Sequence, residues 1–321
     1  MSASPHLVTL SDIEAAAGRV ASTCLRTPVV PLVQPDGEMP LHLKAESLQP
    51  TGAFKLRGAT NAIAVLDEAQ RHRGVVTHSS GNHAQAVAYA ARAAGVRATI
   101  VIPDNAPTLK VEATRRWGAE IVIVPPAERL ARAEQIAAQT GAVLIPPYDD
   151  PAVIAGQGTV GLELVEQVPD LGTVVVPVSG GGLVSGVAAA VKALRPEVAV
   201  VAVEPELAGD LAEGWAAGER RVWSVTDTSR TVADGLRTDS VGLSNWDHIQ
   251  AFVDDVVTVS EDEILAAVTA VVRGARLVVE PSGAVAAAAV LSGTIVPTRG
   301  TTVAIASGGN VATETLAPLL R

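Results

Sequence analysis

From residue 74 onward, short β-branched runs alternate with alanine-rich stretches of helical length, and this alternation limits the fold more than any other feature. "VVTH" (75–78) precedes "HAQAVAYAARAAG", "ATIVI" (98–102) precedes "TLKVEATRRWG", and "EIVIV" (120–124) precedes "ERLARAEQIAAQTG". "AVLIP" (142–146) closes that series. Strands of this length separated by helices predict parallel pairing through right-handed crossovers. A second series runs through "TVVVPV" (173–178), the helix "LVSGVAAAVKALRP", "VAVVAVEP" (198–205) and "TTVAIAS" (301–307), with a helix expected after "GGN". Residues 206–250 carry scattered Gly, Trp and Asp and read as irregular. The expected fold is α/β, with two open, twisted, mostly parallel sheets and flanking helices. Its expected division is a small domain at 74–147 and a large one built from 1–73 and 148–321.

Composition bears on what such a fold can do. Hydrophobic residues make up 48% but aromatics only 2%, so Ala, Val, Leu and Ile must fill the core. That mixture suits helices packed on a buried parallel sheet. A net charge of −10 argues against nucleic acid or an anionic membrane as the main partner. The one cysteine, Cys24, can form neither an internal disulfide nor a zinc site. "MSASPHLVTLSDIEAAAG" has no charged-plus-apolar leader pattern, and no uncharged apolar run reaches about 18 residues. A soluble, cytoplasmic protein with no membrane partner is expected.

Against twenty arginines the chain has four lysines, so each lysine invites the question of what arginine could not do there. A lysine can lose its proton and form an imine; a guanidinium cannot. Lys110 and Lys192 lie in helix-like runs and Lys44 in the strand-like "LHLKAE". Lys55, in "PTGAFKLRG", has a setting suited to partial burial, so it reads either as a reactive amine or as a solvated loop lysine.

Three strand–loop–helix joints carry further chemistry, because ligands of open α/β sheets sit at the carboxyl ends of strands. "SSGNHAQ" (79–85) gathers Ser79, Ser80, Asn82 and His83 at a helix start, which suits capping, anion binding or both. "VSGGGLVSG" (178–186) places three glycines between strand and helix, either as a phosphate nest or for close packing. It lacks the lysine of a nucleotide-binding loop and the spacing of a dinucleotide fingerprint. "IASGGNV" (305–311) puts Ser307 at a strand end, where a simple turn is the plainer alternative. An imine-forming lysine, a nest for one phosphate and polar groups for a ring together describe a pyridoxal phosphate site.

The same segments resemble the β-family (fold type II) pyridoxal phosphate enzymes, in the serine/threonine dehydratase and serine racemase branch. The resemblance runs through nearly the whole chain: "SLQPTGAFKLRGA", "SSGNHAQAVAYAA", "DDPAVIAGQGTVGLEL", "PVSGGGLVSGVA", "TVADGLR", "VGLSNW", "VDDVVTVSEDEI", "VEPSGAVAAAAVL" and "SGGNV". It implies that Lys55 is the Schiff-base lysine, that Phe54 packs beside the cofactor ring and that Asn82 meets the 3′-oxygen. Ser179, Gly180, Gly181, Gly182 and Leu183 match the phosphate cradle, although many relatives have glycine where Ser179 stands. Ser307 matches the hydroxyl partner of the pyridine nitrogen. A serine there, unlike an aspartate, leaves the ring a weaker electron sink, which suits β-elimination over transamination.

The implied activity is that of an ammonia-lyase converting L-threonine or L-serine to an oxo acid and ammonia, with Lys55 as the base at Cα. Its partner is a small β-hydroxy amino acid, whose carboxylate would be held by Ser79, Asn82 and His83 at the helix start, with Ser240 assisting. Ser80 occupies the position of the racemase's second acid–base serine, so serine racemisation is the alternative. Dehydration of 3-hydroxyaspartate is another, with an arginine near 129–132 to meet a second carboxylate. A non-catalytic amino-acid sensor on the same fold would need none of Lys55, the glycine loop or Ser307. "EPELAGD" matches the family's divalent-cation site, with Glu204, the carbonyl of Ala208 and Asp210 as ligands for Mg²⁺ or Ca²⁺; a solvated acidic turn is the alternative. A homodimer is also implied.

Overall fold

The computed structural model describes residues 7–33, 41–106 and 108–320. Its strands are β1 (Val29–Leu32), β2 (Leu41–Lys44), β3 (Val75–His78), β4 (Ala98–Pro103), β5 (Glu120–Val124), β6 (Val143–Leu144), β7 (Leu171–Pro177), β8 (Ala199–Pro205), β9 (Asp255–Val259) and β10 (Thr301–Ile305). They form a six-stranded sheet ordered β1-β2-β10-β7-β8-β9 and a four-stranded sheet ordered β5-β4-β3-β6. β1 pairs antiparallel with β2, while the other ladders among the described residues are parallel. The expected α/β architecture with two mostly parallel sheets is therefore the observed one, and the smaller sheet draws its strands from 75–144.

The apolar runs of β7 and β8 follow from their place in the large sheet. Both strands are almost entirely buried, so neither shows the polar alternation of a half-exposed strand. Small side chains let helices approach closely over these strands. The helix Pro281–Leu291 is buried from Pro281 to Val290, and Gly182–Leu194 from Gly182 to Val191. The helix Lys55–Ala64 crosses Pro151–Gln167 at glycines: a Cβ on Gly156 would lie 2.6 Å from the Cα of Gly58. That contact, with Leu56, Ala59 and Ile63 packed among Val75, Val87 and Ile100, seats the first turn bearing Lys55 against the small sheet.

Two expectations need correction. Residues 206–250 are not wholly irregular; they include the helices Asp210–Ala217 and Leu243–Phe252. Scattered Gly and Trp obscured the helical period, and packing against neighbouring elements supplies what local propensity does not. The helix expected after "GGN" is present as the short Thr313–Leu316. Lys44, an ordinary strand lysine by sequence, is wholly buried and donates to Glu163, Gln167 and the carbonyl of Thr27.

Strand order fixes where a ligand can sit. In the small sheet β4 and β6 lie on opposite sides of β3, and in the large sheet β8 and β10 lie on opposite sides of β7. Chains leaving the carboxyl ends at such reversals diverge and open a crevice. The joints 79–85 and 178–186 and Ser307 all follow strands that flank these reversals.

Candidate active site

A cavity of about 260 Å³ opens at these strand ends. Its wall includes Phe54, Lys55, Ser79, Ser80, Asn82, His83, Ser179, Gly180, Gly181, Gly182, Leu183 and Ser307, so one pocket collects residues from four distant stretches of chain.

Lys55 begins its helix, and its Nζ donates to the carbonyl oxygen of Pro147 at 2.6 Å. The ammonium lies 5.1 Å from the centroid of the Phe54 ring and 6.0 Å from that of Tyr148. Burial without a compensating carboxylate lowers its pKa to about 8. The backbone N–H of Phe54 donates to the carbonyl of Ser307 at 3.0 Å, which ties the lysine's approach loop to the end of β10.

The glycine loop is shaped by what stands against it. A Cβ on Gly180 would fall 2.2 Å from Cδ1 of Tyr148, and one on Gly182 3.0 Å from the Tyr148 Cα. Gly181 has φ of 94°, which an L side chain adopts at a cost. The loop leads into the 13-residue helix Gly182–Leu194, whose N-cap has no side-chain hydrogen bond. Ser179 Oγ shares a 2.7 Å hydrogen bond with Thr238 Oγ1, and Gly180 O accepts from Gly242 N and Asn245 Nδ2. The loop's carbonyl is thus satisfied from behind.

At the small-sheet side, the helix Asn82–Ala93 also starts without a side-chain cap. Its free N–H groups and partial positive charge face a wall that includes Ser79 and Ser80. Asn82 donates from Nδ2 to Glu280 Oε1 at 2.5 Å and accepts at Oδ1 from Asn310 Nδ2 at 2.7 Å. Burial pushes the Glu280 carboxyl up to about 7, against the pull of the Asn82 hydrogen bond.

His83 lines the cavity, but its ring is turned to the backbone. Its Nε2 is 3.1 Å from the carbonyl of Ile145, and burial, then the charge of Lys55, lower its pKa to about 3. The ring is neutral with Nε2–H donating, so it brings no positive charge to a carboxylate. Ser240 is not part of the cavity wall: its Oγ donates to Asp239 Oδ1, and Thr238 lines the cavity instead. Of the arginines near 129–132, Arg129 lines the cavity, at the start of the helix Arg129–Thr140. Burial, then the Arg129 charge, lower the pKa of His78 to about 4. Sequence reasoning assigned no role to Glu280, Tyr148, Asn310 or Thr238, although "VEPSGA" and "SGGNV" had marked the neighbourhood of two of them.

Glu204, Ala208 and Asp210 form a separate cluster, all buried, at the end of β8. Glu204 accepts from the N–H groups of Leu211 and Ala212, and Asp210 from that of Val241. Burial and the neighbouring Asp210 push Glu204 well up, and burial raises Asp210 to about 7. Among the described residues no group of three or more His, Cys, Asp or Glu could hold a metal ion, so a cation here would lean on carbonyl and water oxygens as well. No helix among the described residues is long and apolar enough to cross a membrane.

Comparison with known proteins agrees with this geometry. The chain is 43% identical over 287 residues to a serine racemase of Oryza sativa subsp. indica, covering 88% of this chain and 84% of that one. It is 43% identical over 316 residues to an L-threonine ammonia-lyase of Thermotoga maritima, covering 95% and 76%. A solved maize serine racemase superposes with a TM-score of 0.91 at 41% identity, over 98% of this chain and 97% of that one. Residues 20–313 match the family model described as pyridoxal-phosphate dependent enzyme, and the chain belongs to that family.

Proposed function

We propose that the chain is a pyridoxal-phosphate-dependent ammonia-lyase acting on a small β-hydroxy amino acid, L-threonine or L-serine. The observation that carries this reading is Lys55: a half-buried lysine whose amine has its pKa lowered to about 8, lining one cavity with a side-chain-free loop and Ser307. The residues present fit the cofactor. The Gly180–Gly182 cradle, which a Cβ would fill, and the uncapped helix start suit its phosphate, and Phe54, Asn82 and Ser307, which line the same cavity, would hold its ring. When bound, pyridoxal phosphate supplies an electrophilic aldehyde for amines and a ring that draws electron density away from the substrate's Cα.

The chain's own residues supply the rest. Near neutral pH a fraction of Lys55 is unprotonated, and its Nζ can take the Cα proton, held in place by the Pro147 carbonyl. The start of the helix Asn82–Ala93 binds the substrate carboxylate through backbone N–H groups and the Ser79 hydroxyl. Ser307 offers the ring a neutral hydroxyl where a carboxylate would hold a proton. Elimination is thereby favoured over transamination.

Serine racemisation is the second reading, favoured by a second hydroxyl, Ser80, lining the same cavity as Lys55. Arg129 on the cavity wall supports 3-hydroxyaspartate as a further substrate, since a guanidinium would pair with a second carboxylate. Mg²⁺ or Ca²⁺ at Glu204, the Ala208 carbonyl and Asp210 would favour the ionised form of two carboxyls whose pKa burial raises. A cytoplasmic homodimer without nucleic-acid or membrane partners completes the reading. Purified protein assayed with L-Ser, D-Ser, L-Thr and L-threo-3-hydroxyaspartate, following oxo acid and enantiomer together, tests it. Oxo acid from L-Thr or L-Ser is expected; no oxo acid and no inversion from any of the four would leave the sensor.

A further inference from the structure

The amide of Asn82 has two orientations that differ by exchanging its oxygen and nitrogen, and its neighbours permit one. The chain of constraint starts at a group that cannot be reversed. Asn310 Nδ2 lies 2.8 Å from the backbone carbonyl of Thr51, an atom that only accepts, so that end of the Asn310 amide is the nitrogen. The same nitrogen lies 2.7 Å from the Asn82 amide, so it faces the Asn82 oxygen. The Asn82 nitrogen is left at 2.5 Å from Glu280 Oε1, again donor to acceptor. Reversing Asn82 would set nitrogen against the Asn310 N–H₂, losing that bond outright, and oxygen against the ionised form of the Glu280 carboxyl.

The backbone has been cleared for this relay. A Cβ on Gly308 would fall 2.2 Å from Glu280 Oε1, and one on Gly52 2.4 Å from Asn310 Oδ1. Asn82 and Glu280 line the cavity, while Asn310 stands behind them. Asn310 takes one lone pair of the Asn82 oxygen and Glu280 one amide hydrogen; the second hydrogen is the donor left to offer a ligand.

We propose that Glu280 and Asn310 are positioning residues, which lock the Asn82 amide so that it presents a donor and not an acceptor to the 3′-oxygen of the cofactor ring. This rests on the reading of Asn82 as the residue that meets that oxygen. Neither Glu280 nor Asn310 need touch the substrate; both act through the orientation of one amide. Four elements distant in sequence meet in the relay: the loop before Lys55, the start of the helix Asn82–Ala93, the cap of the helix Pro281–Leu291 and the segment after β10.

The test compares two cofactors that differ by the atom in question. Full-length wild type, Asn82→Ala, Asn310→Ala, Glu280→Leu and Glu280→Gln are each reconstituted with pyridoxal 5′-phosphate or with its 3-deoxy analogue. The analogue keeps aldehyde and phosphate but lacks the 3′-oxygen. Dissociation constants are read by absorbance titration, with melting temperatures alongside. We expect Asn82→Ala, Asn310→Ala and Glu280→Leu each to weaken pyridoxal phosphate about tenfold while leaving the analogue within about twofold of wild type. Glu280→Gln keeps an acceptor oxygen and should stay near wild type with both. Equal losses for both cofactors in Asn310→Ala and Glu280→Leu, with Asn82→Ala still discriminating, would overturn the positioning role alone. A lack of discrimination by Asn82→Ala would overturn the reading of Asn82 and the proposal with it. Should Glu280→Leu fail to fold, Asn310→Ala carries the same comparison.

Discussion

Arg57 and Glu46 meet at 2.8 Å with their side chains 1% and 0% exposed. Arg57 lies two positions after Lys55 and also donates to Glu163, Thr159 and the carbonyl of Leu25, so every face of its guanidinium is occupied. Breaking one partner of such a pair leaves an uncompensated buried charge. Glu46→Ala should therefore cost about 3–5 kcal/mol in urea unfolding. Burial pushes the Glu46 carboxyl up, but the Arg57 charge and hydrogen bonds override it and hold the group below its ordinary value. A depressed carboxyl stabilises the fold above its unfolded pKa, and that contribution is lost as pH falls through the folded one. Wild type should accordingly lose stability below the ordinary carboxylate range, and the loss should be shallower in Glu46→Gln. Equal acid slopes in the two proteins would count against the pair.

Lys55→Ala should abolish turnover, by roughly 10⁴-fold or more, because it deletes the covalent link and the base together. The visible absorption band of the lysine-bound cofactor should vanish while the melting temperature of the cofactor-free protein changes little. Activity above a few per cent of wild type would remove Lys55 from the centre of the reaction.

Ser80→Ala separates elimination from inversion. If Ser80 moves a proton on the face opposite Lys55, racemisation should fall by about 10²-fold or more while oxo acid from the L-isomer persists. If every activity falls alike, Ser80 serves binding or the helix start, where its loss would cost about 1 kcal/mol.

Chelation should lower stability and cofactor affinity together. Asp210 accepts from Val241 N, and the adjoining Gly242 N–H donates to Gly180 O, so the cluster at Glu204 and Asp210 buttresses the glycine loop. A cation bound only by the folded state at a hundred times its dissociation constant adds about 2.7 kcal/mol. EDTA should remove that increment, Mg²⁺ or Ca²⁺ should restore it, and Asp210→Ala should make the protein indifferent to both. An unchanged melting curve in EDTA would return "EPELAGD" to the status of an acidic turn.

Much of this site was legible along the chain. "VVTH" and "EIVIV" became β3 and β5 with the expected bounds, because strand length and β-branching are local properties. Lys55 was conspicuous through the scarcity of lysine, and three consecutive glycines mark a close backbone approach whatever stands opposite. Ser240 and Thr238 show the limit. They differ by two positions in an irregular loop, and no period says which side chain faces inward; the bond from Thr238 to Ser179 decides it.

What the sequence by itself determined is the alternation that makes two parallel sheets, and the residue types waiting at their carboxyl ends. Periodicity and propensity act over a few residues, so they are readable in order. Only the tertiary structure decided that His83 would spend its ring on Ile145, that Lys44 and Arg57 would be buried with Glu46 and Glu163, and that Asn82 would be clamped by Glu280 and Asn310. Those outcomes depend on which buried donors and acceptors meet across long stretches of chain. A buried polar group must find a partner, but which one it finds is set by the packing of whole elements, and no local pattern records that.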